Sequence, residues 1–281
     1  METVCHGKQW DVALAYDEQQ NIVGALPYLM GSKMGLRYIL QPQLTQYNGP
    51  WYREGTDQGN TTRQLTAHLK KLHLALYLQN FAPSITHFAG WEKYEVSPRP
   101  TYRIDDITKP QQVFDNFDKH QRQKAIRRAQ KVLHIDEDIT PDQFATLHAE
   151  YWQSRGKADL LSHDFIQRVV STAVAHGNGI LIAARDAEGR LHGARFAVYD
   201  SRCGYSLMCA FHPEGHHNAT SSFLLWEIFQ RLASRTRSFD FEGSREPSIA
   251  LSYSLYGSYP ATYHQVFRSA IPFAKKLLKI Q

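Results

Sequence analysis

The sequence predicts a mixed α/β (α+β) chain made of two similar halves. Three observations carry this. Residues 180–185, 191–199 and 203–211 are apolar, strand-length runs joined by the short polar turns DAEGR and DSR, the pattern of an antiparallel meander. Strand-length runs elsewhere alternate with stretches of helical periodicity. Finally, residues 10–104 and 180–268 share one order: three strands, a loop, a helix, a strand, an intervening stretch and a last strand.

The elements follow in order. Trp10 to Tyr16 (WDVALAY) reads as a strand and DEQQN as a polar turn. Ile22 to Met30 is a second strand, with Pro27 marking an edge or bulge. Leu36 to Leu40 is a third. The loop QPQLTQYNGPWYREGTDQGN is long enough to have a binding role or to be disordered, and Tyr47, Trp51 and Tyr52 argue for order. Thr61 or Thr62 is a good helix N-cap. The helix it opens is expected to reach about Leu78, with Leu65, Leu69, Leu72 and Leu76 on one face. Ile85 to Phe88 and TYRID at 101–105 read as strands. One long amphipathic helix is expected over about 111–131, then a strand at 132–139 and helices at 141–152 and 163–176. After the meander come a helix at 220–234, a strand at 239–242, a helix at about 248–256 and a strand at 262–268.

Composition narrows the class. The chain has 281 residues, 42% hydrophobic and 21% charged, which reads as a globular protein of one large or two ordinary domains. No apolar run approaches the ~20 residues of a membrane span, so no integral membrane segment is expected. The start, METVCHGKQWD, lacks the order of a signal peptide, and Cys5, Cys203 and Cys209 show no CxxC spacing. A reducing, cytoplasmic location is the simplest expectation. The net charge of +5 permits an anionic ligand without requiring one. Much of the excess lies in Lys119, Arg122, Lys124, Arg127, Arg128 and Lys131, which read either as a solvated helix face or as an RNA contact.

The most chemically suggestive stretch is FDFEGSR, 239–245. At a period of two, Asp240 and Glu242 share one face of a short strand, and Phe239 and Phe241 share the other. A buried strand ending in carboxylates beside a glycine can serve proton transfer, or the acids can cap the next segment. His212, His216 and His217 cluster, but their spacing does not suit zinc, and no metal is expected.

LPYLMGSKMGLRYILQPQLTQYNGPW, the helix ending IRRAQK, and FDFEGSREPSIALSYSLYGSYPATYHQV resemble the FemAB-type branch of the GNAT acyltransferase superfamily, over nearly the whole chain. The resemblance implies a tandem GNAT-like fold with mixed sheets flanked by helices. A truncated first copy would span 1–105 and a complete second copy 106–281. It implies transfer of an acyl group to an amine, from acyl-CoA as a co-substrate rather than a tightly bound cofactor. FemAB-type relatives instead take aminoacyl-tRNA and act on a cell-wall precursor. The other class left open is a catalytically silent binding module.

The same resemblance assigns roles. Glu242 is the first choice of base and Asp240 the second, with Tyr256 or Tyr253 protonating the leaving group. The donor loop falls on His216, Asn218, Ala219, Thr220 and Ser221, without the glycines and lead Arg/Gln of the acyl-CoA enzymes. Arg195, Ser244, Arg245 and Tyr47 are the expected acceptor contacts. A small-molecule donor and acceptor and tRNA are the expected partners, and DNA is not. The gap receiving the donor would open between strands 203–211 and 239–242. The first-copy counterpart of FDFEGSR is expected at ITHFAGW, 85–91, which has no acid in that place.

Overall fold

The computed structural model describes residues 2–5, 8–213, 215, 219–243 and 246–277. The chain divides into two compact units, residues 1–100 with 262–281, and residues 101–261. The C-terminal segment, expected with the second domain, lies in the first unit. The reason is that residues His264 to Ser269 of the last strand pair antiparallel with Leu76 to Phe81.

Unit 1 begins with an antiparallel meander, β1 (Gln9–Tyr16), β2 (Ile22–Lys33) and β3 (Leu36–Ile39). The short strand β4 (Trp51–Tyr52) pairs with β2 and orders part of the long loop. Helix α1 (Gln58–Lys71) starts earlier than Thr61 because Asp57 Oδ1 accepts the Asn60 N–H at 3.1 Å, while Thr61 and Thr62 are buried against the core. It also ends earlier than Leu78: His73 adopts a left-handed conformation (φ 52°) just past the C-cap Leu72. Leu76 therefore opens a strand, β5 (Leu76–Phe81), instead of a fourth helical leucine row. Residues 85–88 are irregular, not the expected strand, and lie between turns closed by Ile85 N–H to Ala82 O and Trp91 N–H to Phe88 O. The following strand, β6 (Glu95–Ile104), is longer than TYRID. The core of unit 1 gathers Leu26, Leu65, Leu69, Phe81 and Trp91.

In unit 2 the strands run in the order β6 (its residues 101–104), β11 (Ser238–Asp240), β10 (Cys203–Phe211), β9 (Leu191–Tyr199), β8 (Gly179–Arg185) and β7 (His134–Asp136). The single helix expected over 111–131 is three pieces: α2 (Pro110–Asp115), a π-helical turn at Lys119–Gln123 and α3 (Lys124–Ala129). Asp118 makes the break, its Oδ1 accepting from the His120 and Gln121 N–H groups at 3.1 and 2.6 Å. Helix α4 (Pro141–Ser154) has a full capping box between Thr140 and Gln143, and Ser162 caps α5 (His163–Ala175). Helix α6 (Thr220–Leu232) is the main core helix, with Phe223, Leu224, Ile228, Phe229 and Leu232 all buried. Helix α7 (Pro247–Ser254) follows β11.

The phenylalanines of FDFEGSR face α6 as the alternation predicts. Phe239 and Phe229 meet edge-on at 4.7 Å between ring centres, and Phe239 and Phe241 at 5.1 Å. Phe239 is fully buried. Phe239→Ala should therefore cost about 3–5 kcal/mol in urea unfolding, and a loss under 1 kcal/mol would show that the strand is not anchored by this ring.

Candidate active site

Parallel strands β10 and β11 pair only at Cys203↔Ser238, Gly204↔Phe239 and Tyr205↔Asp240. Beyond Tyr205, β10 runs on to Phe211 with β9 as its one strand partner. The two strands part, and the backbone groups of β10 on that side are left without a ladder. A bulge lies where they part: the register with β9 jumps from Ser206↔Ala197 to Met208↔Phe196, leaving Leu207 unpaired in it.

The start of α6 closes one end of this gap. Ala219 takes a left-handed conformation (φ 55°) and Thr220 opens the helix, fully buried. Gly193 on β9 makes room for it: a Cβ there would stand 2.6 Å from Phe211 Cδ1 and 3.1 Å from Thr220 Cγ2. The hydroxyl of Thr220 is buried and has no hydrogen-bond partner among the described residues. Its neighbour Ser221 accepts from Arg195 Nη2 at 3.3 Å, while Arg195 Nη1 donates to Ser206 Oγ at 2.5 Å. Arg195, on β9, is 6% exposed and is an interior cation. Its described hydrogen bonds go to hydroxyls, and its Nε has none. A helix N-terminus beside a buried cation favours a negative ligand group.

The acids form the other wall. Asp240 is fully buried; its Oδ1 accepts from Thr101 Oγ1 at 2.5 Å and from the Glu242 N–H at 2.8 Å. That second bond closes a turn in which Glu242 sits at φ 63°, an uncommon conformation for a residue with a side chain. No described residue hydrogen-bonds the Glu242 carboxylate. Burial, with the charge of Asp240 beside it, pushes its pKa up to about 8.

The two tyrosines part company. Tyr256 is 3% exposed; its hydroxyl bonds Ser222 Oγ at 2.9 Å and its ring lies 4.5 Å under the Arg122 guanidinium. Arg122 is thereby drawn out of the basic face and bonded to Ser252, while Lys119, Lys124, Arg127, Arg128 and Lys131 stay exposed. Tyr253 is half-buried, its ring against Phe241 at 4.9 Å and Tyr102 at 5.7 Å. Burial raises its pKa to about 12, and Arg195, Cys209, Glu242 and Asp240 all lie within electrostatic range of its hydroxyl. Tyr253 is thus the tyrosine set between the arginine and the acids.

Of the remaining expected residues, His216, Asn218, Ser244 and Arg245 lie outside the described residues, as does His217. Tyr47 belongs to unit 1, where its ring meets Tyr263 edge-on at 5.5 Å. Thr101, Ser206 and Ser222 were not foreseen. Thr101 had one visible signal, the Thr-Tyr pair repeated at 262–263; its hydroxyl holds Asp240, and Tyr102 packs on Tyr253.

Unit 1 contains a similar parallel pair, β3 with β5, matched at Tyr38↔Leu76 and Ile39↔Tyr77. This corrects the expected counterpart of FDFEGSR: it is LYLQNF, 76–81, not residues 85–91. Aligned on the last paired residues, Gln79 falls where Glu242 falls. Gln79 is fully buried, accepting from the Tyr77 hydroxyl at 2.6 Å and donating to Pro27 O at 2.9 Å. Past the pair, the long loop fills the edge of β5: Gln41 Oε1 takes the Asn80 N–H at 2.8 Å and the Asn48 N–H reaches Asn80 O at 2.7 Å.

The raised pKa of Glu242 gives a stability test. The folded state keeps this proton after the unfolded chain has lost it, so the group's contribution falls as pH rises from about 4.5 to about 8 and is level beyond. Glu242→Gln removes that loss. Its stability relative to the wild type should climb across this window in urea melts, and a constant difference would place Glu242 in open solvent.

Known proteins agree with this geometry. The acetyltransferase (GNAT) domain family matches residues 118–247. FemX is similar over 92% of this chain and 88% of its own, at 9% identity and a TM-score of 0.66. A tandem GNAT protein from the clavulanic acid biosynthesis pathway matches over 95% and 85%, at 17% identity and 0.61. The C-terminal domain of a lysylphosphatidylglycerol synthetase homologue from Agrobacterium fabrum matches over 99% and 92%, at 10% identity and 0.61. No curated protein matches. No helix among the described residues is long and apolar enough to cross a membrane. Residues 118–247 match the acetyltransferase (GNAT) domain family, and the chain shares the fold of FemX and of a tandem GNAT protein.

Proposed function

We propose that unit 2 is an N-acyltransferase that moves an acyl group from a thioester donor, acyl-CoA, to an amine. The observation that carries this is the parting of β10 and β11 over a buried, ionisable wall. The donor chain would lie in the gap, where β10 offers backbone groups that no strand has taken. Its pyrophosphate would lie at the N-terminus of α6. The similar clavulanic-pathway structure is described as the form without AcCoA, which makes a CoA thioester the donor to test first.

Each group in the site then has a task. Glu242, with a pKa near 8, takes the proton of the acceptor ammonium. The freed amine attacks the thioester carbonyl. Backbone N–H groups near the Leu207 bulge receive the oxyanion. As the C–S bond breaks, the Tyr253 hydroxyl gives its proton to the leaving thiolate, and the resulting tyrosinate takes the second proton of the attacking nitrogen. Asp240 and Thr101 position Glu242 by holding its turn, and Tyr256 supports the floor through Ser222.

An aminoacyl-tRNA donor is the second reading. The exposed row Lys119, Lys124, Arg127, Arg128 and Lys131 favours it, because a polyanion would need such a face. The two donors separate cleanly. CoA or acetyl-CoA should raise the melting temperature if the first reading holds. Salt-sensitive tRNA binding that weakens in Arg127→Ala/Arg128→Ala, with no CoA response, would replace it with the second.

Two kinetic outcomes test the roles. Glu242→Gln should lower kcat by ~10²-fold or more with donor affinity intact, and the wild-type rate should rise with pH to a plateau above about 8. Tyr253→Phe should lower kcat by ~10-fold or more, whereas Tyr256→Phe should lose about 1 kcal/mol of stability and keep its rate. A catalytic loss in Tyr256→Phe but not Tyr253→Phe would reverse the assignment.

A further inference from the structure

We infer that unit 1 carries a second binding site, for the phosphoryl group of a small ligand, in the cavity at the end of α1. The cavity holds about 420 Å³, a size typical of small-molecule sites. Leu69 and Leu74 form one wall. Tyr77 and Tyr94 form the floor, edge-on at 5.2 Å between ring centres. Both rings are buried, Tyr77 at 1% exposure and Tyr94 at 9%, and Tyr77 spends its hydroxyl on Gln79.

Three basic side chains converge on this apolar floor from separate segments. Lys70 comes from the last turn of α1, and His73 from the left-handed residue that ends it. Arg268 stands directly opposite Tyr77 in the β5–β12 register, on β12 (Tyr259–Ser269), with its guanidinium 5.7 Å from the Tyr94 ring centre. Among the described residues no carboxylate lines the cavity. Glu92 is an acid within electrostatic range of Lys70, and its Oε1 is taken by the Gly90 N–H at 2.7 Å.

Basic residues in a final helical turn ordinarily offset the helix dipole. His68 and Lys71 sit in that turn without facing the cavity. Arg268 cannot be explained that way, because it is not on the helix. Two full positive charges and an imidazole suit a dianionic phosphoryl group better than a carboxylate, and a guanidinium can grip it bidentately. The site is at the start of β5, at the other end of the strand from the Gln41–Asn80 contact. It does not depend on the acyl-transfer reading of unit 2.

Calorimetric titration of the full chain at low salt with phenyl phosphate, inorganic phosphate and benzoate tests the assignment. Binding of phenyl phosphate and of inorganic phosphate should saturate at one site per chain, each about tenfold tighter than that of benzoate, because only they supply the dianion. Arg268→Gln and Lys70→Gln should each weaken it by about tenfold or more while leaving any CoA response of unit 2 unchanged. If Arg268→Gln melts early, Lys70→Gln and His73→Gln, both at exposed positions, carry the same test. Absence of saturable binding at millimolar phenyl phosphate, or wild-type affinity in the variants, would overturn the assignment.

Discussion

The structure depends on one constraint: two parallel strands that pair for three residues and then part. Pairing stops at Tyr205↔Asp240, and everything chemically distinctive in unit 2 follows from that stop. A strand edge inside a protein must satisfy or expose its backbone groups. Here the chain manages it locally. The bulge at Leu207 turns β10, and the Asp240 carboxylate closes the turn after β11. Glycines permit the close packing that holds the strands below the split. A Cβ at Gly204 would stand 2.7 Å from Leu232 and 3.3 Å from Phe239, so the helix lies nearly on the sheet. The aromatic row Phe229, Phe239 and Phe241 then fixes the paired end, and the polar groups collect at the open one.

Comparison of the two units shows how little separates an open gap from a filled one. Both have a meander, a helix and a strand parallel to the last meander strand. In unit 1 the third strand is four residues long, and the chain then turns back so that Gln41 and Asn48 complete the edge of β5. At the Glu242 position stands Gln79, a neutral amide with both ends engaged. A neutral, satisfied side chain carries no proton to exchange. A carboxylate pressed against another carboxylate, with burial on top, titrates where amines can be deprotonated. The loop sequence PQLTQYNGPW is therefore part of what makes the units differ.

Much of this was legible in the sequence. The meander strands at 179–185, 191–199 and 203–211 were read nearly to the residue, because they are apolar runs of strand length and their turns are short and polar. So was the facing of Phe239 and Phe241, which needs only alternation. The errors share a cause. At Leu76 and at 111–131, helical periodicity continued in sequence after the helix had ended in space. His73 in a left-handed turn and Asp118 as a cap each broke it through one local contact that periodicity does not weigh. The strand expected at 85–88 failed because the residues that pair, 76–81, had been absorbed into the helix before it.

The site was legible in part for a different reason. Glu242 and Asp240 stand out by composition, but their division of labour does not: it comes from Thr101, 139 residues away, which binds Asp240 and leaves Glu242 unclaimed by any described side chain. Likewise nothing local says that Arg195 is buried or that Tyr253, not Tyr256, faces it. The surroundings of Arg195 arise from the pairing of β9 with β10, where Cys209 meets Arg195 across the ladder and Ser206 lies two pairs along.

The central claim is that the opening between β10 and β11 receives the donor. The most direct measurement is a structure of the full chain with CoA bound. The account predicts the pantetheine arm between residues 206–211 and 240–243, with the pyrophosphate at 219–221. CoA seated in unit 1 with the unit 2 opening empty would contradict it.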